Sequence, residues 1–521
     1  MPGNLRPRTV TPRSLTGLAA LVGATAPADP LAGGAPGAAA DPLVSGVTHA
    51  SGDVRPGDLY AALPGARRHG AEFVAAAAAS GAVAVFTDPG GAGAAAAAGL
   101  PAIVVPDPRD ALGAVASAVY GDPTGQLTVI GITGTAGKTS TAYLVESGLR
   151  AAGHVTGLIG TVETRLGDLV VESVRTTPEA TDLHALLAVA RERGVTAVVM
   201  EVSSHALAMG RVGGVRFDVG GYTNFGLDHL DFHADAADYF AAKAKLFDGR
   251  CRVEILNLDD PALRPLTKPA TVTYSADGAA SATWRASAVA GTSYSQRFTA
   301  IGPDGPVEAG VSLPGRHNVA NALLAIAALV ATGADPATAA RGVADCPGVP
   351  GRLERVWPRR AGASADQQSA GPVLGVVDYA HKPDAIVAAL TALRELATDR
   401  GGRLFCVIGA GGDRDKAKRP LMGRAAAEGA DIVVVTDDNP RTEDAAAIRR
   451  GLLDGIGDTP AEVFEIAGRR AAIDFAVGKA APGDIVAVLG KGHERGQEVG
   501  GEVLPFDDRV ELAAALAEVG T

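Results

Sequence analysis

The stretch Ile130–Thr141, IGITGTAGKTST, constrains this chain more than any other. The apolar run Leu127–Ile132 predicts a buried strand and Thr139–Ala152 predicts a helix, with a glycine-rich turn between them. Glycines let backbone N–H groups face one concavity, and the helix N-terminus adds a favourable dipole, so the turn suits phosphate. Lys138 can reach terminal phosphates, and the Thr139 hydroxyl can meet Mg²⁺. The strict phosphate-loop spacing has glycine where this chain has Ile132, so the loop is a variant.

Around this loop the chain reads as an α/β protein in three domains. Residues 1–125 carry short strand-like runs, Val83–Phe86 and Ala102–Val105, between Ala-rich helices and form a small α/β domain. Residues 126–347 hold the loop, the buried-strand run Ala197–Met200 and a helix over Asn318–Thr332. Residues 348–521 alternate strands (Val373–Val377, Leu404–Ile408, Ile432–Thr436, Ile485–Leu489) with helices (Asp384–Leu396, Arg419–Glu428, Ala445–Gly451), the pattern of a parallel sheet. Pro358–Pro372 is polar and low in complexity, a surface insertion.

Hydrophobic residues make up 47% of the 521, enough for a large core, which excludes global disorder. Lys plus Arg is 47 and Asp plus Glu is 58, so the net charge of −11 argues against a nucleic-acid partner. Cys251, Cys346 and Cys406 are odd in number and lack CxxC spacing, against a disulfide framework or structural zinc and consistent with a reducing compartment. The uncharged stretch Pro89–Pro106 is interrupted by Gly and Pro, so no membrane insertion is expected. Arg6, Arg8 and Arg13 before Leu15–Ala26 loosely mimic a secretory leader, but the prolines at 2, 7 and 12 favour the first helix of a folded domain.

Two further clusters carry chemistry. Glu201 ends the strand run Ala197–Met200, and a strand-end carboxylate beside a phosphate loop is where a Mg²⁺ ligand belongs. Asp228, His229, Asp231 and His233 crowd into six residues, which reads either as a site or as a helix cap with solvated side chains.

The motifs taken together resemble the Mur ligase family. In order they are TGTAGKTST, RTTPE (Arg175–Glu179), EVSSHAL (Glu201–Leu207), TNxxxDHLDFH (Thr223–His233), AAKAKLF (Ala241–Phe247), GRHNVANALLA (Gly315–Ala325), VPGRLE (Val349–Glu354), DYAHKPDA, GGDRDKAKRPLMG, DDNPRTED and GKGHE (Gly490–Glu494). The resemblance covers nearly the whole chain. It implies a UDP-substrate domain, a central P-loop ATPase domain with a parallel sheet, and a Rossmann-like amino-acid domain. It implies an ATP-dependent, cytoplasmic amide ligase of peptidoglycan precursor synthesis, working as a monomer. The reaction would activate the glutamate γ-carboxylate of UDP-N-acetylmuramoyl-L-alanyl-D-glutamate as an acyl phosphate, which an amine then attacks. The amine would be meso-diaminopimelate, with L-lysine as the alternative.

The family's residue roles carry over by motif. Gly134, Thr135, Ala136, Gly137, Lys138, Thr139 and Ser140, with Asn318, Arg352 and Asp378, match ATP contacts, and His381 accompanies Asp378. Thr139, Glu201, His229 and Lys243 match the Mg²⁺ site, Lys243 as an N6-carboxylated (carbamate) lysine; an ammonium would repel Mg²⁺, whereas a carbamate is an anionic oxygen donor. Lys138, Glu201, His229 and Lys243 are the implied catalytic set. Neighbouring Lys245 is expected to be an ordinary exposed lysine. Thr176, Thr177, Ser203 and Arg211 match contacts to the muramoyl peptide, and Ser51 a contact in the UDP domain, although His49–Asp53 departs from the family's Asp-Ser-Arg.

The last block adds an argument from topology. Asp378, the Gly409–Asp413 turn, Asp437–Arg441 and Gly490–Glu494 all begin where a predicted strand ends, and open parallel sheets bind ligands beyond those ends. Diaminopimelate is a double zwitterion. Arg414 and Arg441 suit its carboxylates, and Glu494 and the Gly490 carbonyl suit its distal ammonium, with Asp438, Asn439 and Pro440 completing the loop. Lysine lacks the distal carboxylate, so it would leave Arg441 without that partner. Lys382 has no account in this scheme.

Overall fold

A computed structural model describes residues 5–24, 41–65, 67–226, 228–292, 294–358 and 373–519. The chain divides into two compact units, residues 1–274 with 324–342, and residues 275–323 with 343–521.

Beside the short pair Arg13–Ser14/Leu43–Val44, the first unit holds two larger sheets. Gly46–Thr48, Asp58–Ala62, Ala84–Thr87 and Ala102–Val104 form a small all-parallel sheet in sequence order. In the second sheet Thr128–Thr133 lies between Ala197–Glu201 and Phe217–Tyr222, parallel to both. Thr156–Ile159 and Cys251–Asn257 extend it on either side, and the antiparallel ribbon Glu163–Leu166/Leu169–Glu172 closes one flank. Val129, Ile130, Ile132, Val198, Val199 and Met200 are fully buried. Continuous apolar runs of this kind are what a strand covered on both faces requires.

The second unit holds a six-stranded sheet. Leu374–Asp378, Ile485–Leu489, Leu404–Ile408, Ile432–Val435 and Glu462–Glu465 run parallel in that spatial order, and Glu354–Val356 pairs antiparallel at the edge. Helices Pro383–Asp399, Lys418–Gly429 and Ala445–Leu453 fall where the sequence predicts them. The unit also carries strands the periodicity did not reveal: the antiparallel series Trp284–Thr292, Ser295–Gly302 and Gly305–Val311, and the hairpin Gly496–Val499/Glu502–Pro505.

The helix expected from Leu15 is present as Leu15–Leu21, capped by the Ser14 hydroxyl, and residues 25–40 lie outside the described residues. The insertion read at Pro358–Pro372 lies, but for its first residue, outside them too. Among the described residues no helix is long and apolar enough to cross a membrane. Cys251, Cys346 and Cys406 are all buried.

Candidate functional site

The phosphate loop forms as its sequence requires. The strand ends at Thr133, and the helix Lys138–Ala151 starts from Gly137 in the left-handed region (φ 82°). Gly134 has φ 142°, and a Cβ there would collide with the Thr223 hydroxyl. Only glycine adopts this backbone without strain. Lys138 Nζ donates to the loop's own carbonyls at Gly134 (2.8 Å) and Thr135 (3.1 Å). Thr139 and Ser140 open the helix, both buried.

Thr223 and Asn224 brace the loop. The Thr223 hydroxyl and Asn224 Nδ2 donate to the Ala136 carbonyl at 2.5 and 3.2 Å. Asn224 Oδ1 accepts from Ala136 N at 3.0 Å, and its carbonyl accepts from Thr135 N at 2.8 Å. The pair opens the motif Thr223–His233, in which no local pattern gives it a task.

Glu201 is buried at its strand end and organises the next group. Its Oε2 accepts from the Thr139 hydroxyl (3.0 Å) and the Thr161 hydroxyl (3.1 Å), and its Oε1 accepts from Thr161 N (2.7 Å). The Thr161 and Thr176 hydroxyls are 3.0 Å apart. Thr177 donates to the Glu201 carbonyl at 2.9 Å and accepts from Ser203 N at 3.1 Å. Arg211 pairs with Glu179 at 2.9 Å and reaches the Thr177 carbonyl at 3.4 Å. Thus Thr139, Glu201, Thr176, Thr177, Ser203 and Arg211 share one network, with Thr161 as an added member. A threonine just past the strand Thr156–Ile159 was the available signal for it.

Lys243 lies in helix Ala236–Ala244 and is 1% exposed. Its Nζ donates to the Gly134 carbonyl at 2.7 Å and sits 4.7 Å from the Tyr239 ring centre. Lys245 is exposed, as expected. His229 takes a left-handed backbone (φ 54°), pairs with Asp228 at 3.1 Å and lies edge-on to His205, with 4.7 Å between ring centres. Burial and the neighbouring His233 push the His205 imidazole below its ordinary range. Helix Ala236–Ala244 is capped by Asp235; His233 instead bonds Asp238, and Asp231 is exposed.

Among the described residues no three His, Cys, Asp or Glu side chains are grouped to hold a metal ion. The donors that do converge, the Thr139 hydroxyl and the Glu201 carboxylate, are hard oxygens and fit Mg²⁺ by chemistry. Ser51 opens the turn Ser51–Asp53 on the small parallel sheet, not on the loop sheet.

In the second unit, Asp378 is buried with Oδ2 accepting from Leu353 N (2.6 Å) and Oδ1 from Ala380 N (2.7 Å). Burial pushes its carboxyl above the usual range, against the lowering effect of Arg352. The Arg352 guanidinium lies over the Tyr379 ring at 4.5 Å and reaches His493 Nδ1 at 3.5 Å. Burial, with Arg352, Arg509 and Arg495 nearby, pushes His493 down to about 3. His381 packs on Tyr379, and Asn318 donates to the Pro314 carbonyl at 2.8 Å. Lys382 is the N-cap residue of helix Pro383–Asp399.

The four strand ends do carry the four motifs. Asn439 Nδ2 donates to Glu494 Oε2 at 2.8 Å. Gly490 (φ 119°) donates its N–H to the Asp378 carbonyl at 3.0 Å, and a Cβ there would strike the Asp438 carboxylate. Asp438 lies 3.8 Å from the fully buried Arg469, which is paired with Asp508 at 2.7 Å. Arg469 is a buried cation behind the loop that the sequence reading missed.

Arg441 has a left-handed backbone (φ 53°), rare for a non-glycine residue. The sequence assigned its fork to a ligand carboxylate, but Nε is engaged by Glu498 (3.0 Å) and Nη1 by the Gly412 carbonyl (2.6 Å). Pro440 accepts from Glu443 N at 3.0 Å. Arg414 is exposed on the neighbouring turn, its side chain beside Gly411, which also faces Arg441 Nη1.

Three family models match: Mur ligase family, catalytic domain over residues 43–120; Mur ligase middle domain over 132–329; and Mur ligase, glutamate ligase domain over 365–492. The chain is 54% identical over 500 residues to the UDP-N-acetylmuramoyl-L-alanyl-D-glutamate–2,6-diaminopimelate ligase of Streptomyces coelicolor, covering 94% of this chain and 95% of that one. It is 51% identical over 528 residues to the Streptomyces avermitilis ligase of the same name, covering 99% of each. A solved structure bearing that ligase name superposes with a TM-score of 0.66 at 30% identity, covering 96% of this chain and all of the other.

Proposed function

The chain belongs to the Mur ligase family, with its three-domain fold, and from that premise we propose that it is the ADP-forming ligase joining meso-2,6-diaminopimelate to the D-glutamate of UDP-N-acetylmuramoyl-L-alanyl-D-glutamate. The observation that carries the amino-acid choice is the meeting of Asn439, Arg441 and Glu494 beyond the parallel strand ends. Asn439 bonds Glu494 there and Glu498 links Asn439 to Arg441, whose guanidinium, held through Nε and Nη1, would meet a ligand carboxylate from that fixed position; a guanidinium and a carboxylate are the pairing a zwitterionic side chain needs.

The proposed division of labour is residues 1–125 for the UDP moiety, 126–347 for ATP and 348–521 for the amino acid. Lys138 holds the terminal phosphates over the loop Gly134–Ser140, whose backbone is fixed by Thr223 and Asn224. Thr139 and Glu201 would hold Mg²⁺, with Lys243 as a carbamate and His229 joining them. When bound, Mg²⁺ supplies neutralisation of charge that builds on the transferring phosphoryl group. Thr176, Thr177, Ser203 and Arg211 orient the peptide so that its glutamate carboxylate faces ATP; linking them through Thr161 to Glu201 keeps acid and phosphate in one register. Asn318, Arg352 and Asp378 are assigned to ATP by their motifs, and Ser51 to the UDP. The amine of diaminopimelate then attacks the acyl phosphate, releasing phosphate and forming the amide. The enzyme acts in the cytoplasm, where ATP and the nucleotide-linked precursor occur, as a monomer.

Purified protein with the UDP-dipeptide, ATP and Mg²⁺ should release one ADP per UDP-tripeptide formed with meso-diaminopimelate. ADP release that needs both substrates separates this from an idle nucleotide-binding scaffold. Preference for L-lysine in the same assay would refute the role given to Arg441.

A further inference from the structure

We propose that Lys491 and Gln497 are positioning residues for the amino-acid substrate, and that the hairpin Gly496–Val499/Glu502–Pro505 is the clasp through which they act. The inference rests on the ligase reading above and extends it to residues that the family resemblance did not assign.

Lys491 lies two residues past the strand end at Leu489 and is 0% exposed. A buried ammonium is tolerated only where its protons are matched by acceptors. Here its Nζ reaches three, the Gly496 carbonyl (2.6 Å), Asn439 Oδ1 (3.0 Å) and Glu494 Oε2 (3.2 Å). Asn439 Oδ1 also accepts from Glu498 N at 2.9 Å, while its Nδ2 donates to Glu494. An ammonium and a backbone N–H can only donate and a carboxylate can only accept, so the Asn439 amide has a single permitted orientation. Both bonds to Glu494 fall on Oε2, and its side chain remains 35% exposed. The carboxylate is therefore anchored by one oxygen while still open to a ligand.

The hairpin fixes the other side of this arrangement. Gln497 Nε2 donates to the Asp438 carbonyl at 2.6 Å. Arg441 N donates to the Glu498 carbonyl at 2.9 Å, and Gly500 N to the Arg441 carbonyl at 2.7 Å. The hairpin strand thus lies along Asp438–Arg441 as a short parallel bridge and holds Arg441 in its left-handed backbone. Lys491 ties that strand, through Gly496, to the two polar groups offered to the substrate. Without it, Glu494 and Asn439 would have to be ordered by each incoming substrate, and that cost falls on binding rather than on phosphoryl transfer.

The test compares Lys491→Met and Gln497→Leu with wild type in full steady-state kinetics, alongside thermal melts. The expected result is a rise in KM for meso-diaminopimelate of about tenfold or more for Lys491→Met and roughly threefold or more for Gln497→Leu, with KM for ATP and for the UDP-dipeptide within about twofold and kcat within about threefold. If Lys491→Met does not fold, Gln497→Leu decides by the same criterion. An unchanged amino-acid KM in the folded variants, or a matching loss in all three substrates, overturns the inference while leaving the ligase reading intact. Wild-type protein that does not ligate diaminopimelate overturns the reading, and the inference with it.

Discussion

Glu201 shows how a single side chain joins metal and substrate chemistry. Its two oxygens receive Thr139 and Thr161, and its carbonyl receives Thr177. Glu201→Gln keeps the volume but removes the anion, and it sets an amide N–H against donors. We expect kcat to fall about 10²-fold or more, on the scale of losing one electrostatic stabiliser, with a stability loss of only about 1–3 kcal/mol. Stopped ADP-release assays and a melt of the same sample separate the two. Lys243→Arg should abolish ligation, because a guanidinium does not become a carbamate; near-normal turnover would remove Lys243 from the metal site. Glu201 and Lys138 were legible in the sequence because a strand end and a GKT turn are local signals. Thr161, Lys491 and Arg469 were not, because their tasks are set by partners from other elements: Thr161 meets Glu201 across neighbouring strands, and Lys491 meets Asn439 from another loop. For Arg441 the local sequence suggested a ligand's partner and could not reveal the competing bond to Glu498.

At the level of elements, the phosphate loop is held from outside as much as by its own glycines. Gly134→Ala would drive a Cβ into the Thr223 hydroxyl and toward Asn224 N in a backbone region reserved for glycine. The expected result is loss of nucleotide binding by calorimetry, with destabilisation of about 1–3 kcal/mol by denaturant melts. An alanine variant that still binds ATP at wild-type affinity would show that this close approach to Thr223 is dispensable. The parallel strands Ala197–Glu201, Leu374–Asp378, Leu404–Ile408, Ile432–Val435 and Ile485–Leu489 were legible because each is a continuous buried run, two of them to the residue, whereas the parallel Glu462–Glu465 is exposed at both ends and was not. The antiparallel strands were harder. Ser295–Gly302 and Gly305–Val311 are only partly buried and mix polar residues with glycine, and Glu502–Pro505 is wholly exposed, so no apolar run marks them. A two-residue Gly500–Gly501 turn, both with positive φ, was the signal that identifies the Gly496–Pro505 hairpin.

Across the whole molecule, acid should act through histidines before it acts through carboxylates. His184, in the first unit, is fully buried, and burial lowers it to about 4 even though Nε2 bonds the Gly213 carbonyl at 2.8 Å. In the second unit His493 is lowered to about 3 by burial and its arginine neighbours. Unfolded, each imidazole titrates near its ordinary 6.5. Between the folded and unfolded values the unfolded chain therefore binds more protons. The stability tied to these groups is intact above pH 6.5 and declines as pH falls toward 4, by up to about 1.4 kcal/mol per pH unit for His184 and less for the partly exposed His493. The depressed carboxylates work in a lower window. Hydrogen bonds from Arg419 hold Glu443 at about 2, and Asp484, partly desolvated, is lowered by its bonds to Arg403, so their contributions fade only below the ordinary carboxylate range. Calorimetric melts should thus show a falling Tm between pH 6.5 and 5, a range in which the depressed carboxylates alone would leave it nearly flat. His184→Gln retains a donor for the Gly213 carbonyl but has no proton to gain, so its Tm should fall less steeply over that range. Equal slopes for wild type and variant would remove His184 as a source of the acid sensitivity.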